Sequence, residues 1–388
     1  MFEEIKNSLL NEKDEKKVEY IELIYDLIFV YMIGRNSSLM HNIEDGFIAP
    51  MSFFTFVLGT LVIIQIWNFT NFYINRYGSN GFREHIMILV NMFLLYFMGD
   101  ATRVEWQHWF YYKYNIAWAL ILLNIFINYL LKYREIKDSK PWEAVQISYT
   151  MIMLGSEAFI VLITIPIYAK TGLILAPIAL VFGIIFTIIS ADINSLVPVD
   201  FAHLTERAML YVVFTFGEMI IVISGYFEGE VSINNIYFAL MGFLIVVGLF
   251  QSYEILYDHL IGRELITNGT GYMMIHLFLI FSLSTLTAAL EFMREEEVAL
   301  MPKTLFLTGS FILYFVCLFL LGIYMKKRSR PNPKFIVTIV LMLIAFAALM
   351  LVFRENMYVN ILVTVLLVYC VFFILLKAKN SGKGCRME

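Results

Sequence analysis

The chain has 388 residues, of which 60% are hydrophobic and 15% are charged. Because a soluble domain usually has about a quarter of its residues charged, this composition predicts an integral membrane protein and excludes a large soluble domain. The three cysteines are scattered, which argues against a disulfide framework. No basic patch of the kind that binds nucleic acid is present, so the bilayer is the first expected partner.

Apolar runs follow one another along most of the chain, and most approach the roughly 20 residues that a helix needs to cross a bilayer. We therefore predict an all-α fold, a polytopic helical membrane protein with about 12 transmembrane helices. The predicted spans are approximately residues 18–40, 47–72, 84–100, 114–131, 143–166, 172–190, 201–224, 233–257, 271–292, 303–325, 334–353 and 358–377.

Lysine and arginine are distributed unevenly between the two alternating sets of loops that these spans define. The set containing both termini carries 20 of the 28 residues of this type, and the opposite set carries 7. Because cytoplasmic loops are enriched in Lys and Arg, we expect both termini to be cytoplasmic.

Four parts follow from this pattern. Residues 1–17 are predicted to form a cytoplasmic tail, since they lack the short apolar core and cleavage site of a signal peptide. Residues 18–292 form the transmembrane core that carries the intramembrane ionisable residues. Residues 293–377 form apolar C-terminal helices of scaffold or lipid-facing character, and residues 378–388 form a second cytoplasmic tail.

An internal repeat is suggested by setting each residue n against residue n+184. This offset pairs Glu22 with Glu206 and Tyr73 with Tyr257, so the first spans would be echoed by the seventh and those after it. A six-span period preserves orientation, which would give two parallel six-helix repeats. Chance coincidence among polar residues explains the same pairs equally well, and both interpretations stay open.

The seventh span, within residues 200–224, carries His203, Glu206, Arg207 and Glu218. Helical geometry places His203, Arg207 and Glu218 on one stripe with Glu206 on its flank. Ionisable side chains at this depth usually face a partner or a wet cavity, because each costs several kcal/mol in hydrocarbon. The i,i+3 spacing of His203 and Glu206 can serve a metal ion, but two ligands do not make a site, so we predict no metal.

The first span places Glu22 and Asp26 one helical turn apart. Two like charges at this spacing repel each other unless a proton or cation intervenes. Arg207 is the expected partner, because the first and seventh spans run in the same direction and both groups lie in the cytoplasmic half. The alternative is that Glu22 extends to the membrane interface.

A possible pocket is predicted beside this network. Gln and Asn residues at the end of the second span exceed what an interfacial aromatic belt requires, and such amides often join helices in a bundle. An interfacial aromatic belt and a pocket explain the residues at the end of the second span equally well. The candidate pocket residues are Trp67, Asn71 and Tyr73 in the second span, Glu157 in the fifth and His276 in the ninth.

Two segments resemble a known family, the low-temperature-requirement A (LtrA) membrane proteins. Residues 22–33, ELIYDLIFVYMI, are similar to its E-L-F-F-D-L-x-F-V opening, and residues 203–222 are similar to its H-L-x-E-R-F-x-L…G-E-S segment. The departures are Ala208, Met219 and Phe278, which stand where the family has an aromatic residue, Ser and Pro. The resemblance covers about residues 18–292 and implies a multi-pass protein of the bacterial plasma membrane. It implies a growth phenotype in the cold, without a settled activity.

We expect a secondary transporter or permease, with proton coupling through a carboxylate–Arg–His network. Glu206 and Glu218 would carry protons or cations, Arg207 would be the counter-ion or anion clamp, and Glu22 and Asp26 would be its partners. No cofactor or catalytic residue is predicted, the second partner is an unknown small solute or ion, and the oligomeric state stays open. The alternatives are an ion channel, an intramembrane lipid-modifying enzyme, and a non-transporting structural protein that supports growth in the cold.

Overall fold

The structure is a computed structural model and describes residues 16–102, 108–227, 232–293, 295 and 297–380. These residues form thirteen α-helices and one two-stranded hairpin. The helices are α1 (Tyr20–Ser37), α2 (Pro50–Tyr77), α3 (Phe82–Asp100), α4 (His108–Ile136), α5 (Pro141–Thr171), α6 (Pro177–Ile189), α7 (Ala191–Asn194), α8 (Phe201–Ser224), α9 (Ile233–Ile255), α10 (Thr270–Phe292), α11 (Leu300–Leu320), α12 (Pro333–Val352) and α13 (Met357–Asn380).

The prediction of a polytopic helical membrane protein is confirmed. Each predicted span corresponds to a helix, and in the described part of the chain ten helices are long and apolar enough to cross a membrane. The other two predicted spans are α1, whose 18 residues include three charged side chains, and α6, which has only 13 residues. At about 1.5 Å per residue, α6 is about 20 Å long and is shorter than a hydrocarbon core of about 30 Å.

Several helix starts follow directly from the sequence. Proline occupies the first helical position of α2, α5, α6 and α12, where its missing N–H costs nothing and its fixed φ suits a helix. The start of α8 is capped by Asp200, whose Oδ1 accepts a hydrogen bond from the backbone N–H of His203 at 3.1 Å. This cap fixes the first turn of the helix that carries His203 and Arg207.

Helices α2 and α10 are the most buried of the bundle, whereas α12 buries little of its surface. Helix α1 packs against α2, α3 and α8, so its carboxylates lie inside the bundle. Helices α11 and α13 pack along α10 and α9 respectively, and α12 lies outside them. The apolar α12 therefore leaves most of its surface outside the helix bundle.

We name the two ends of the bundle by their residues. The proximal face is the end at which α1 and α8 begin, with Tyr20 and Phe201, and the distal face is the end at which they finish, with Ser37 and Ser224. The Lys and Arg distribution predicts that the proximal face is cytoplasmic.

A short hairpin that the sequence analysis did not predict covers part of the distal face. Strand β1 (Ile43–Glu44) pairs antiparallel with β2 (Phe47–Ile48), and the turn between them is Asp45–Gly46. Both turn residues have positive φ, 51° and 79°, as a two-residue type I′ turn requires. The Asp-Gly pair is the signal that predicts such a turn.

Candidate functional site

Arg207 of α8 forms the centre of a fully buried ion cluster with α1. Its Nε donates to Asp26 Oδ2 at 3.1 Å and its Nη2 donates to Asp26 Oδ1 at 2.5 Å, while its Nη1 donates to Glu22 Oε2. Arg207, Asp26 and Glu22 expose 0%, 0% and 3% of their surface. The planar guanidinium suits this bidentate pairing, which fixes α1 and α8 relative to each other.

Trp67 of α2 is a third element of this cluster. Its indole Nε1–H donates to Asp26 Oδ1 at 2.8 Å, and its ring packs on that of Tyr211 with the centroids 4.5 Å apart. Trp67 is completely buried. This location argues against an interfacial belt for Trp67, because belt residues lie at the membrane surface.

His203 extends the cluster towards the proximal face, and its neighbours define which nitrogen carries the proton. The Asn75 amide is oriented by Asp200, whose N–H donates to Oδ1 and whose carbonyl accepts from Nδ2, both at 2.9 Å. Asn75 Nδ2 also lies 3.1 Å from His203 Nδ1, so this amide nitrogen donates and the ring nitrogen accepts. His203 is therefore neutral with its proton on Nε2, which lies 3.3 Å from Glu22 Oε2.

These protonation states leave the cluster with an unbalanced charge. Arg207 contributes one positive charge, whereas the carboxylates of Glu22 and Asp26 contribute two negative charges. Neutral His203 contributes none. A buried net negative charge is costly, so the cluster has a place for one proton or one further cation.

A cavity of about 470 Å³ opens at the proximal face and reaches Glu22. Its lining combines polar and apolar groups and carries both signs of charge. The lining residues include Lys16, Lys17, Glu19, Glu22, Asn75, Arg76, Ser79, Asn80, Glu84, His85 and Asp200. A volume of this size accommodates a small molecule.

Two cations of the cavity wall already donate hydrogen bonds to backbone carbonyl oxygens. Arg76 donates to the carbonyl oxygens of Val197 and Asn268, at 3.0 and 2.9 Å. The Lys16 ammonium donates to the carbonyl oxygens of Ile74 and Gly78 at the end of α2. Burial lowers the pKa of Lys16 below its usual value. Neither side chain donates to the carboxylates of the cluster.

Glu218 lies apart from this cluster, in the distal half of α8. It is eleven residues beyond Arg207, which is about 16 Å along the helix axis. Its side chain is 6% exposed, and neither carboxyl oxygen has an aligned hydrogen bond within the described residues. It faces α1 beside Ser37 and beside Gly34, where an added Cβ would be 3.3 Å from Oε1.

Tyr211 lies between the two acidic groups, on the same stripe of α8. It is completely buried, and its hydroxyl has no hydrogen-bond partner in the part of the chain that the structure describes. The carboxylates of both Asp26 and Glu218 act on this hydroxyl electrostatically. The sequence analysis missed Tyr211, although its i+4 spacing from Arg207 could have identified it.

The remaining predicted residues lie outside the cluster. Glu206 is half-buried on another side of α8 and acts on Tyr257. His276 is buried in α10, where Nδ1–H donates to the Tyr272 carbonyl and Nε2 accepts from the Tyr253 hydroxyl, both at 2.9 Å. It forms a local hydrogen-bonded unit with its own neighbours.

The other pocket residues are buried at separate places around α2. The Tyr73 ring packs on Tyr129 with the centroids 5.0 Å apart. The Asn71 amide is buried with no hydrogen-bond partner among the described residues. Glu157 lies beside Gln65 in the interior. The structure therefore brings together Glu22, Asp26, Trp67, His203 and Arg207, and it separates the other predicted residues from them.

Metal-ligand geometry is absent from the described ranges: no group of three or more His, Cys, Asp or Glu side chains converges there. His203 contacts Glu22, whereas Glu206 lies on another side of the helix.

Comparison with known proteins shows to which family the chain belongs. A search of curated proteins found no match to this chain. A model of the family described as "Bacterial low temperature requirement A protein (LtrA)" matches residues 17–371 of the 388 residues. This match includes the whole of the ion cluster and both segments that carry the resemblance. The chain therefore belongs to the family of bacterial low temperature requirement A proteins.

Proposed function

We propose that this protein is a proton-coupled secondary transporter in which the Arg207 cluster is the central exchange site. The observation that carries this proposal is that two buried carboxylates contact one guanidinium, while the Asn75 amide donates to Nδ1 of His203. A buried site lacking one positive charge is suited to take up a proton or a cation and to release it again.

Access from one side supports this role. The cavity at the proximal face reaches Glu22, which donates no hydrogen and can accept a proton or contact a small polar solute. The solute is unknown, but the cavity is large enough for a small molecule and is lined by groups of both signs. In this proposal the proximal face is cytoplasmic and the membrane is the bacterial plasma membrane.

Glu218 is the proposed proton carrier of the distal half. Between Arg207 and Glu218 the buried face of α8 carries Tyr211, Val212 and Thr215, and the Thr215 hydroxyl donates to the Tyr211 carbonyl. This stretch offers isolated polar groups in a packed interior. Such an arrangement suits alternating access, because an ion channel would line one continuous polar path.

A structural role is the competing interpretation. The bidentate pairing of Arg207 with Asp26 would by itself hold α1 against α8 without any transport. Buried ion networks of this kind are also known to specify how helices pair. The prediction that Glu206 is a second carrier stays a prediction, since it is half-buried and lies away from the cluster.

The deciding experiment is proton flux in proteoliposomes that enclose a pH-sensitive dye. We would impose a proton gradient and then a potential on the wild type, on Glu218→Gln and on Glu254→Gln. Glu254 is the matched control, because it is an exposed glutamate within another membrane helix. We expect flux in the wild type and in the control, and loss of flux in Glu218→Gln.

Adding candidate solutes to both sides would then separate solute-dependent exchange from uncoupled conduction. Folded wild-type protein that moves no protons under any gradient would exclude the transport proposal and leave the structural role. Unchanged flux in Glu218→Gln would exclude Glu218 as the carrier.

A further inference from the structure

A second buried carboxyl group lies outside the Arg207 cluster. Glu157 of α5 is completely buried, and both of its carboxyl oxygens lack a hydrogen-bond partner among the described residues. Gln65 of α2 is buried beside it, and both atoms of its amide also lack an aligned partner. Two polar side chains thus meet in the interior without hydrogen bonds from the other described residues.

Gly183 of α6 provides the space in which this pair meets. A Cβ at this position would lie 2.2 Å from Gln65 Nε2 and 2.2 Å from Glu157 Oε2. Both atoms therefore approach the α6 backbone where any other residue would place a side chain. The glycine allows the helix to lie directly on the pair and to close the site.

The surroundings provide no positive charge to balance Glu157. Of the described residues, only Gln65 acts on this carboxyl as a polar neighbour. The nearby Thr187 hydroxyl is occupied, since it donates to the Gly183 carbonyl at 2.7 Å. An unpaired ionised carboxylate in this setting would be strongly disfavoured, so the carboxyl requires a bound positive charge.

The small number of polar groups around Glu157 indicates which positive charge is bound there. One carboxyl and one amide are too few for a metal ion, which takes about four or more ligands in proteins. They are sufficient for a proton. The amide suits either state of the acid, because its oxygen accepts from a protonated carboxyl and its NH₂ group donates to an ionised one.

We propose that Glu157 and Gln65 form a second proton-binding site, closed by Gly183 of α6 and separate from the Arg207 cluster. In the closed structure Glu157 holds the proton, and Gln65 stabilises the carboxylate that remains when the proton leaves. This site goes beyond the transport proposal, because it is defined by its own residues and does not require Glu218 or Arg207.

The test is labelling with dicyclohexylcarbodiimide, an apolar reagent that reacts with protonated carboxyl groups. The acid proton moves to a carbodiimide nitrogen and the carboxyl oxygen bonds to the central carbon. The acyl group then migrates to nitrogen, which leaves a stable adduct without a leaving group. The reagent is added to the full-length protein in liposomes, and adducts are located by peptide mass spectrometry.

We expect an adduct at Glu157 at neutral pH that is lost as the pH is raised. Gln65→Leu removes the group that stabilises the carboxylate, so labelling should persist to higher pH in that variant. Labelling that ends at the same pH in Gln65→Leu and in the wild type would overturn the role assigned to Gln65. Asp26, which is paired with Arg207 through two hydrogen bonds, should remain unlabelled.

The absence of an adduct at Glu157 in folded wild-type protein would overturn the proposal. Protection by sodium at constant pH would overturn it as well, since it would indicate a metal-ion site. Labelling is read without any flux, so the result is independent of the transport proposal. A protein that moves no protons but is labelled at Glu157 would refute only the proposed function.

Discussion

Asn75 donates to Nδ1 of His203 at 3.1 Å, and this contact determines the charge of the whole ion cluster. The Asn75 amide is itself oriented by the backbone of Asp200 on both sides. Because Nδ1 accepts, the imidazole proton is on Nε2 and faces Glu22. A residue of α2 thereby keeps a histidine of α8 neutral.

Asn75→Asp should reverse this effect. A carboxylate at residue 75 would accept a hydrogen bond from an Nδ1–H, so the imidazole would carry a proton on both nitrogens. The charges of the new carboxylate and of the second imidazole proton cancel, so the cluster would still carry one net negative charge and proton flux should persist. Nitrogen NMR of the histidine ring and a pH profile of flux would measure the two effects. An unchanged imidazole titration in folded protein would refute the assignment of the tautomer.

Arg207→Ala should strongly destabilise the protein, whether or not it transports. The change leaves two buried carboxylates unpaired, which typically costs about 3–5 kcal/mol. The control is Arg354→Ala, whose ion pair with Glu355 is long, at 3.9 Å, and exposed. That change should alter stability by no more than about 0.5 kcal/mol. Unfolding in detergent would compare the two, and equal losses would contradict the central place of the cluster.

Tyr211→Phe separates stability from transport. The ring packing on Trp67 is retained, and a buried hydroxyl without a partner is removed. Stability should therefore stay the same or rise, since an unsatisfied buried hydroxyl costs about 1–3 kcal/mol. Proton flux should fall, because the polar group between Asp26 and Glu218 is lost. Wild-type flux in this variant would remove Tyr211 from the proton path.

Gly183→Ala tests how closely α6 covers Glu157 and Gln65. The new methyl group would displace both side chains, and overpacking of this kind typically costs about 1–3 kcal/mol. Gly155→Ala is the control in α5, because its Cβ would meet Phe126 at an ordinary 3.5 Å. There the change should be neutral or stabilising by up to about 1 kcal/mol. Thermal unfolding of the two variants would show the difference, and equal melting temperatures would argue against the close contact.

The orientation of the bundle can be tested with single cysteines in a background without Cys317, Cys370 and Cys385. Lys17→Cys reports on the proximal face, and Glu44→Cys reports on the distal hairpin. In intact cells a membrane-impermeant maleimide should label residue 44, and residue 17 should react only after lysis. The opposite pattern would reverse the predicted topology.

The sequence identified the helices and the main ion pairs because both depend on local rules. Apolar length predicts a span, and the depth of Glu22, Asp26 and Arg207 in spans of the same direction predicts that they lie near one another. The structure places these three side chains in contact. The hairpin at Asp45–Gly46 also has a local signal, the Asp-Gly pair. Apolar length, which predicts membrane spans, does not detect it.

Other parts of the site depend on which helices become neighbours, and periodicity does not determine this. The contact of Asn75 with His203 requires the end of α2 to meet the start of α8. The approach of Glu157 to Gln65 requires α5, α2 and the short α6 to converge at Gly183. Helical periodicity also placed Glu218 on one stripe with Arg207, although about 16 Å of helix separates them.

The hairpin on the distal face has a mechanical consequence. The carbonyl of Gly46 accepts a hydrogen bond from the N–H of Ala299 at 2.7 Å, directly before α11 begins. The Phe47 ring also packs on Phe306 of α11. The connection between α1 and α2 is thereby joined to the start of α11 by one hydrogen bond and one aromatic contact. An outward tilt of α1 and α2 at this end must either break these contacts or move α11 with it.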